Sequence, residues 1–262
     1  MVSNISVIMV HGFVRELRNK TAFDLICLCI SLSVSDAIMM TLVMGYIDKE
    51  AFKHVAVALH WCFLNSLSWI TVMSVELLYF LHHEYIIIQH NILRRCFKSW
   101  ILATLAPSLI IFVMIFLNHY HPTWVGYGQT LTNRLMSNKT AIYVTLIAPF
   151  VVTNVLSLAI SIAVAIKLHL HKISTNLSGI TRSNGRININ VAKAAMKLVA
   201  VFGGAEIFGV IQTNHATMND VFSTLYVFLR STRGIFIFLL YLCNVKVRKL
   251  LQNEIQTRST SP

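Results

Sequence analysis

The chain has 262 residues, 56% of them apolar and only 12% charged, with a formal net charge of +12. A soluble domain usually carries about twice that charged fraction. The cations sit between long apolar runs rather than along one face, which excludes a nucleic-acid-binding domain and points to a single membrane domain.

Residues 1–14 are apolar but too short to cross a bilayer, and no small-residue cleavage site follows before Arg15. They read as the end of a first span rather than as a secretory signal. A bilayer core takes about 20 apolar residues as helix. Six stretches have that length: 22–46, 54–81, 99–118, 140–166, 194–213 and 221–243. Helix is the only open-chain way to satisfy backbone polar groups in lipid, and these runs lack the alternation of barrel strands. The expected fold is all-α: a membrane helical bundle over 1–251 with six complete spans and a partial first span, then a polar cytoplasmic tail over 252–262.

The connectors set the orientation. Those after the first, third, fifth and seventh spans hold 16 lysines and arginines, among them Arg94, Arg95, Lys167, Lys172, Lys193 and Lys197. The other side holds four: Lys49, Lys53, Arg134 and Lys139. The positive-inside rule places the first set in the cytoplasm, the N-terminus outside and the C-terminus inside. Segment 172–190, with its run of Ser, Thr and Asn, reads as a cytoplasmic loop. Sequons occur at Asn4, Asn19, Asn138 and Asn176. Asn138 lies outside but abuts the fifth span, which works against its use. Cys27, Cys29, Cys62, Cys96 and Cys243 all avoid the outer segments, so no disulfide framework is expected.

The sequence contains no G-x-S-x-G, no H-E-x-x-H and no P-loop, so neither an enzyme nor a cofactor is expected. The histidines fall mostly at span ends. The pairs His82–His83 and His169–His171 lack the i, i+4 spacing that aims two rings at one metal ion. Ionisable groups inside spans are more telling, because each costs about 2.5–3.5 kcal/mol unless paired or hydrated. Asp36 in the second span, Glu206 in the sixth, and Arg230 and Arg233 in the seventh are central; Glu76 lies nearer the cytoplasmic end of the third. Glu206 and Arg230 sit roughly 9 and 15 Å below the outer face at 1.5 Å per residue, which predicts an ion pair between them. Pro107, Pro149 and the pair Gly203–Gly204 lie within spans, where they permit kinks or close approach.

The chain resembles the seven-helix domain of adhesion-type G-protein-coupled receptors, within the secretin-like class. In the seventh span Gly234-Ile235-Phe236-Ile237-Phe238 precedes Asn244-Val245-Lys246-Val247-Arg248, similar to the family's Q-G-x-F-I-F and N-x-x-V-R. The run Leu198 to Gly209 in the sixth span resembles L-L-G-L-T-W-x-F-G, and Leu59 to Trp69 in the third resembles L-H-Y-F-x-L-x-x-x-x-W. There are departures. The family's disulfide between the third span and the second outer loop has no counterpart, since neither the outer end of the third span nor 119–139 contains cysteine. Glu206 replaces a tryptophan, Arg233 a glutamine, Arg230 an asparagine and Met73 a glutamate. Glu76, one turn further in, stands near that last position.

The resemblance implies a cell-surface receptor whose inner ends open to a heterotrimeric G protein. Arg94, Arg95, Lys167, Lys172, Lys193 and Lys197 are the expected coupling surface. His60, Trp61, Asn65, Trp69, Glu206 and Arg230 are the expected lining of a pocket for an unknown extracellular ligand, with Asp36, Glu76, Gly203, Gly204, Arg233 and Gly234 as intramembrane switch positions. Two other readings stand beside it: a channel or transporter using the intramembrane charges, and a truncated, non-signalling partner of full-length receptors.

Overall fold

The computed structural model describes residues 2–14, 20–43, 49–82, 92–127 and 136–178, with positions 228, 232, 234, 235, 237–239, 247, 252 and 256. Regular structure among them is helical apart from one isolated antiparallel bridge, Tyr127 to Met136. In chain order the helices are α1 (Val2–Phe13), α2 (Lys20–Val43), α3 (Lys49–His82), α4 (Ile92–Tyr120), α5 (Pro122–Val125), α6 (Lys139–Ile142) and α7 (Ala148–Ser178). A π-helical turn, Tyr143–Ile147, joins α6 to α7.

Among the described residues four stretches are long and apolar enough to cross a membrane: Lys20–Thr41, Ala51–Glu76, Leu93–Tyr120 and Lys139–Val164. They correspond to the second to fifth expected spans. The sixth span, 194–213, lies outside the described residues, and so does the seventh, 221–243, except for a few positions, Gly234 and Ile237 among them, which are helical. The helices overrun the apolar runs: α4 starts at Ile92 rather than 99 and α3 at Lys49 rather than 54. Hydropathy ends a span at its first cluster of charges. A helix continues through them, because long cationic side chains reach water from the membrane edge.

Local sequence explains the ends between α4 and α6. Pro122 opens α5, where a missing N–H costs nothing, and Gly126 closes it in the left-handed conformation (φ 70°, ψ 42°). Asn138 caps α6, its side-chain oxygen accepting from Thr140 N at 2.8 Å. Its amide donates to Thr123 O at 3.1 Å, so both polar atoms of this sequon asparagine hold the loop end together.

α3 is the hub and packs against α2, α4 and α7. Of its apolar window 61% is buried, against 22% for each of the spans formed by α4 and by α6–α7. Those two helices turn Leu102, Leu109, Phe112, Val152 and Val155 outward, as lipid-facing helices do. The main core joins Val7 of α1, Leu25, Leu28 and Leu32 of α2, Trp69 and Met73 of α3, Ala103 of α4 and Ile237. α1 is about 18 Å long at 1.5 Å per residue. It lies close against Gly234: a Cβ there would stand 3.0 Å from Asn4 Oδ1. A second cluster, with Ala56, Met114, Val125, Tyr127, Met136 and Ala141, closes the opposite, loop end of the bundle.

Candidate functional site

The end of the bundle that carries the basic connectors holds a knot of four charges. Lys20 starts α2 and Asp24 follows one turn later, so the pair shares a helix face; Lys20 Nζ lies 3.2 Å from Asp24 Oδ2. The same ammonium is paired with Glu76 of α3. Glu76 Oε1 in turn lies 3.5 Å from Arg95 Nη2 of α4, whose guanidinium sits 5.5 Å from the centre of the Tyr79 ring. Asp24 is fully buried, and Lys20 and Glu76 are exposed by only 14% and 18%. Two cations face two carboxyl groups, and pairing of this kind is how such groups are held at the edge of lipid. Asp24 Oδ1 is buried without a donor, beside the Glu76 carboxyl. One knot therefore ties three helices.

Among the expected coupling cations, Arg94 and Lys167 are exposed, as is Lys98 near Arg94, while Arg95 is half drawn into the knot. Lys172 lies on α7, and Lys193 and Lys197 are outside the described residues. Sequence reasoning missed Asp24 altogether and took Lys20 only as a topology marker. The i, i+4 spacing of the two was the available signal.

Further up α3, each expected pocket residue finds a different neighbour. Asn65 Nδ2 donates to Ser31 Oγ of α2 at 2.8 Å. Trp61 Nε1 donates to Ser108 Oγ of α4 at 3.1 Å. Trp69 is buried in the main core, its ring edge-on to Phe23. One turn below, Ser74 Oγ reaches Ser157 Oγ of α7 at 3.2 Å. Among the described residues these four α3 side chains reach toward α2, α4 and α7. Glu206, Arg230, Arg233, Gly203 and Gly204 lie outside the described residues; Asp36 is partly buried on α2.

His60 forms a second knot, at the loop end. It is fully buried, with Nδ1 2.6 Å from Tyr127 Oη and Nε2 3.2 Å from Thr145 O. A carbonyl only accepts, so in the neutral ring Nε2 carries the proton and Nδ1 accepts from the tyrosine hydroxyl. Pro149 explains why Thr145 O is open: an α-helix would satisfy that carbonyl from the N–H of residue 149, and proline has none. The turn is widened as well, Ala148 N bonding back to Tyr143 O. Tyr127 is held on its other side, its backbone N donating to Asn118 Oδ1 at 3.2 Å. Burial pushes the Tyr127 phenol above its ordinary range, so it remains a donor.

Among the described residues no group of three or more His, Cys, Asp or Glu side chains is placed to hold a metal ion. A search of curated proteins gives no match. The family model described as "7 transmembrane receptor (Secretin family)" matches residues 1–237.

Proposed function

Because the chain belongs to the secretin family of seven-transmembrane receptors, we propose that it carries an extracellular signal across the plasma membrane to a heterotrimeric G protein. Within that family the helix-seven run from Gly234 to Phe238 and the Asn244-to-Arg248 segment favour the adhesion type. The basic end faces the cytoplasm, as the distribution of lysine and arginine requires. An extracellular ligand acts on the outer half, where His60, Trp61, Asn65 and Trp69 sit on α3 and where sequence depth places Glu206 and Arg230.

The observation that carries the reading is the charge knot. Lys20, Asp24, Glu76 and Arg95 bind α2, α3 and α4 together at the end where a G protein would have to enter. Two packings of such an end, knotted and open, give a switch whose balance a ligand shifts. Arg94, Lys98 and Lys167 beside it are exposed and suit an acidic partner surface, with Lys172, Lys193 and Lys197 completing the coupling set.

The test is guanine-nucleotide exchange by purified G proteins of each class, with the full chain in lipid nanodiscs. Glu76→Gln, which frees Arg95 and leaves Lys20 only Asp24, is expected to raise basal exchange several-fold. Neutralising Arg94, Lys98 and Lys167 together is expected to bring it back down. A chain that passes ionic current in a planar bilayer and leaves every G-protein class at its spontaneous rate, with and without Glu76→Gln, would sink the proposal.

A further inference from the structure

The loop that follows α4 contains no cysteine, and one of its ties to the bundle passes through a single ring. His60 joins two separate elements. Its Nδ1 side holds Tyr127, the first residue of the bridge to Met136 and part of the loop-end cluster. Its Nε2 side holds Thr145 O, the carbonyl whose α-helical donor position is occupied by Pro149.

We infer that His60 is a positioning residue that couples the outer loop to the proline turn between α6 and α7, so that displacing the loop loosens that turn. In the neutral ring the two bonds are not independent. Donation to Thr145 fixes the proton on Nε2, which leaves Nδ1 as the acceptor Tyr127 requires. Bonds chained through one group polarise and orient each other. An unpaired carbonyl in lipid costs more than one in water, and with the N–H of residue 149 missing the ring supplies a donor to Thr145 O. Among the described residues His60 is joined to the Tyr127 hydroxyl and the Thr145 carbonyl, neither of them charged; on its own helix the Cys62 thiol is buried two residues away and His54 is exposed further out.

The loop thereby gains a route into the helix that continues to Ser157, which bonds Ser74 of α3. This coupling does not require a G protein, so its test stands apart from the receptor reading. The experiment is hydrogen–deuterium exchange of the full chain in nanodiscs, followed in segments 119–127, 143–150 and 100–114. Tyr127→Phe keeps the ring and removes the hydroxyl. It is expected to raise exchange about fivefold, the effect of one lost hydrogen bond, in both 119–127 and 143–150, with 100–114 unchanged.

Pro149→Ala restores an N–H for Thr145 O. In that background Tyr127→Phe is expected to open 119–127 as before while leaving 143–150 at its own baseline. Should Tyr127→Phe fail to accumulate, His60→Gln is expected to give the same two-segment pattern and the same dependence on residue 149. Opening of 119–127 alone in the Pro149 chain would overturn the coupling. So would equal opening of 100–114, which marks general destabilisation, or no change in any segment.

Discussion

The two ends of α3 are fastened by opposite chemistry. At the basic end Glu76 gathers Lys20, Asp24 and Arg95 into a charged knot. At the loop end His60, Tyr127, Thr145 and Asn118 make a knot without formal charge. Charged hydrogen bonds are roughly twice as strong as neutral ones, and half-satisfied charges are far more costly. The basic end is therefore the end that resists small disturbance and fails abruptly once a partner is lost. The loop end yields by degrees.

The largest expected effect tests that contrast directly. Glu76→Gln leaves Lys20 only Asp24 and takes the carboxylate from Arg95, and should cost about 3 kcal/mol of stability, as breaking buried pairs does; equilibrium unfolding in detergent measures it. A cost no greater than the roughly 1 kcal/mol expected of a single neutral hydrogen bond would erase the distinction. Between the two ends lies the close contact of α1 with Gly234. Gly234→Ala places a methyl 3.0 Å from Asn4 Oδ1 and should cost about 1–3 kcal/mol, the usual range for overpacking. Asn4→Ala in the same chain should recover most of it. If the second change recovers nothing, the contact is not what limits that position. Arg95→Gln is the smallest: its pair with Glu76 spans 3.5 Å and the side chain is 45% exposed, so a loss under about 1 kcal/mol is expected. A loss as large as that of Glu76→Gln would mean that the knot is held from α4 rather than from α2.

The second to fifth spans were legible because lipid imposes a length of apolar helix that single residues cannot disguise. Their ends were not: Lys49, Arg94, Arg95 and Lys98 broke the apolar pattern but not the helix. The charge knot was half legible. Lys20 and Asp24 share a helix face at i, i+4, yet the meeting with Glu76 and Arg95 depends on how three helices cross, which spacing does not encode. Trp69 and His60 lie on α3 as the apolar run implied, but their directions were not readable from spacing, and both are buried. Pro149 announced a disturbed turn. Which donor would repair it emerged only when His60 was seen across from Thr145.

The loop end also has a redox consequence. Its fastening consists of an imidazole, a phenol, a carboxamide and a main-chain oxygen, none of which a thiol reductant attacks. Dithiothreitol applied to intact cells should leave the loop's accessibility to surface labelling as it was.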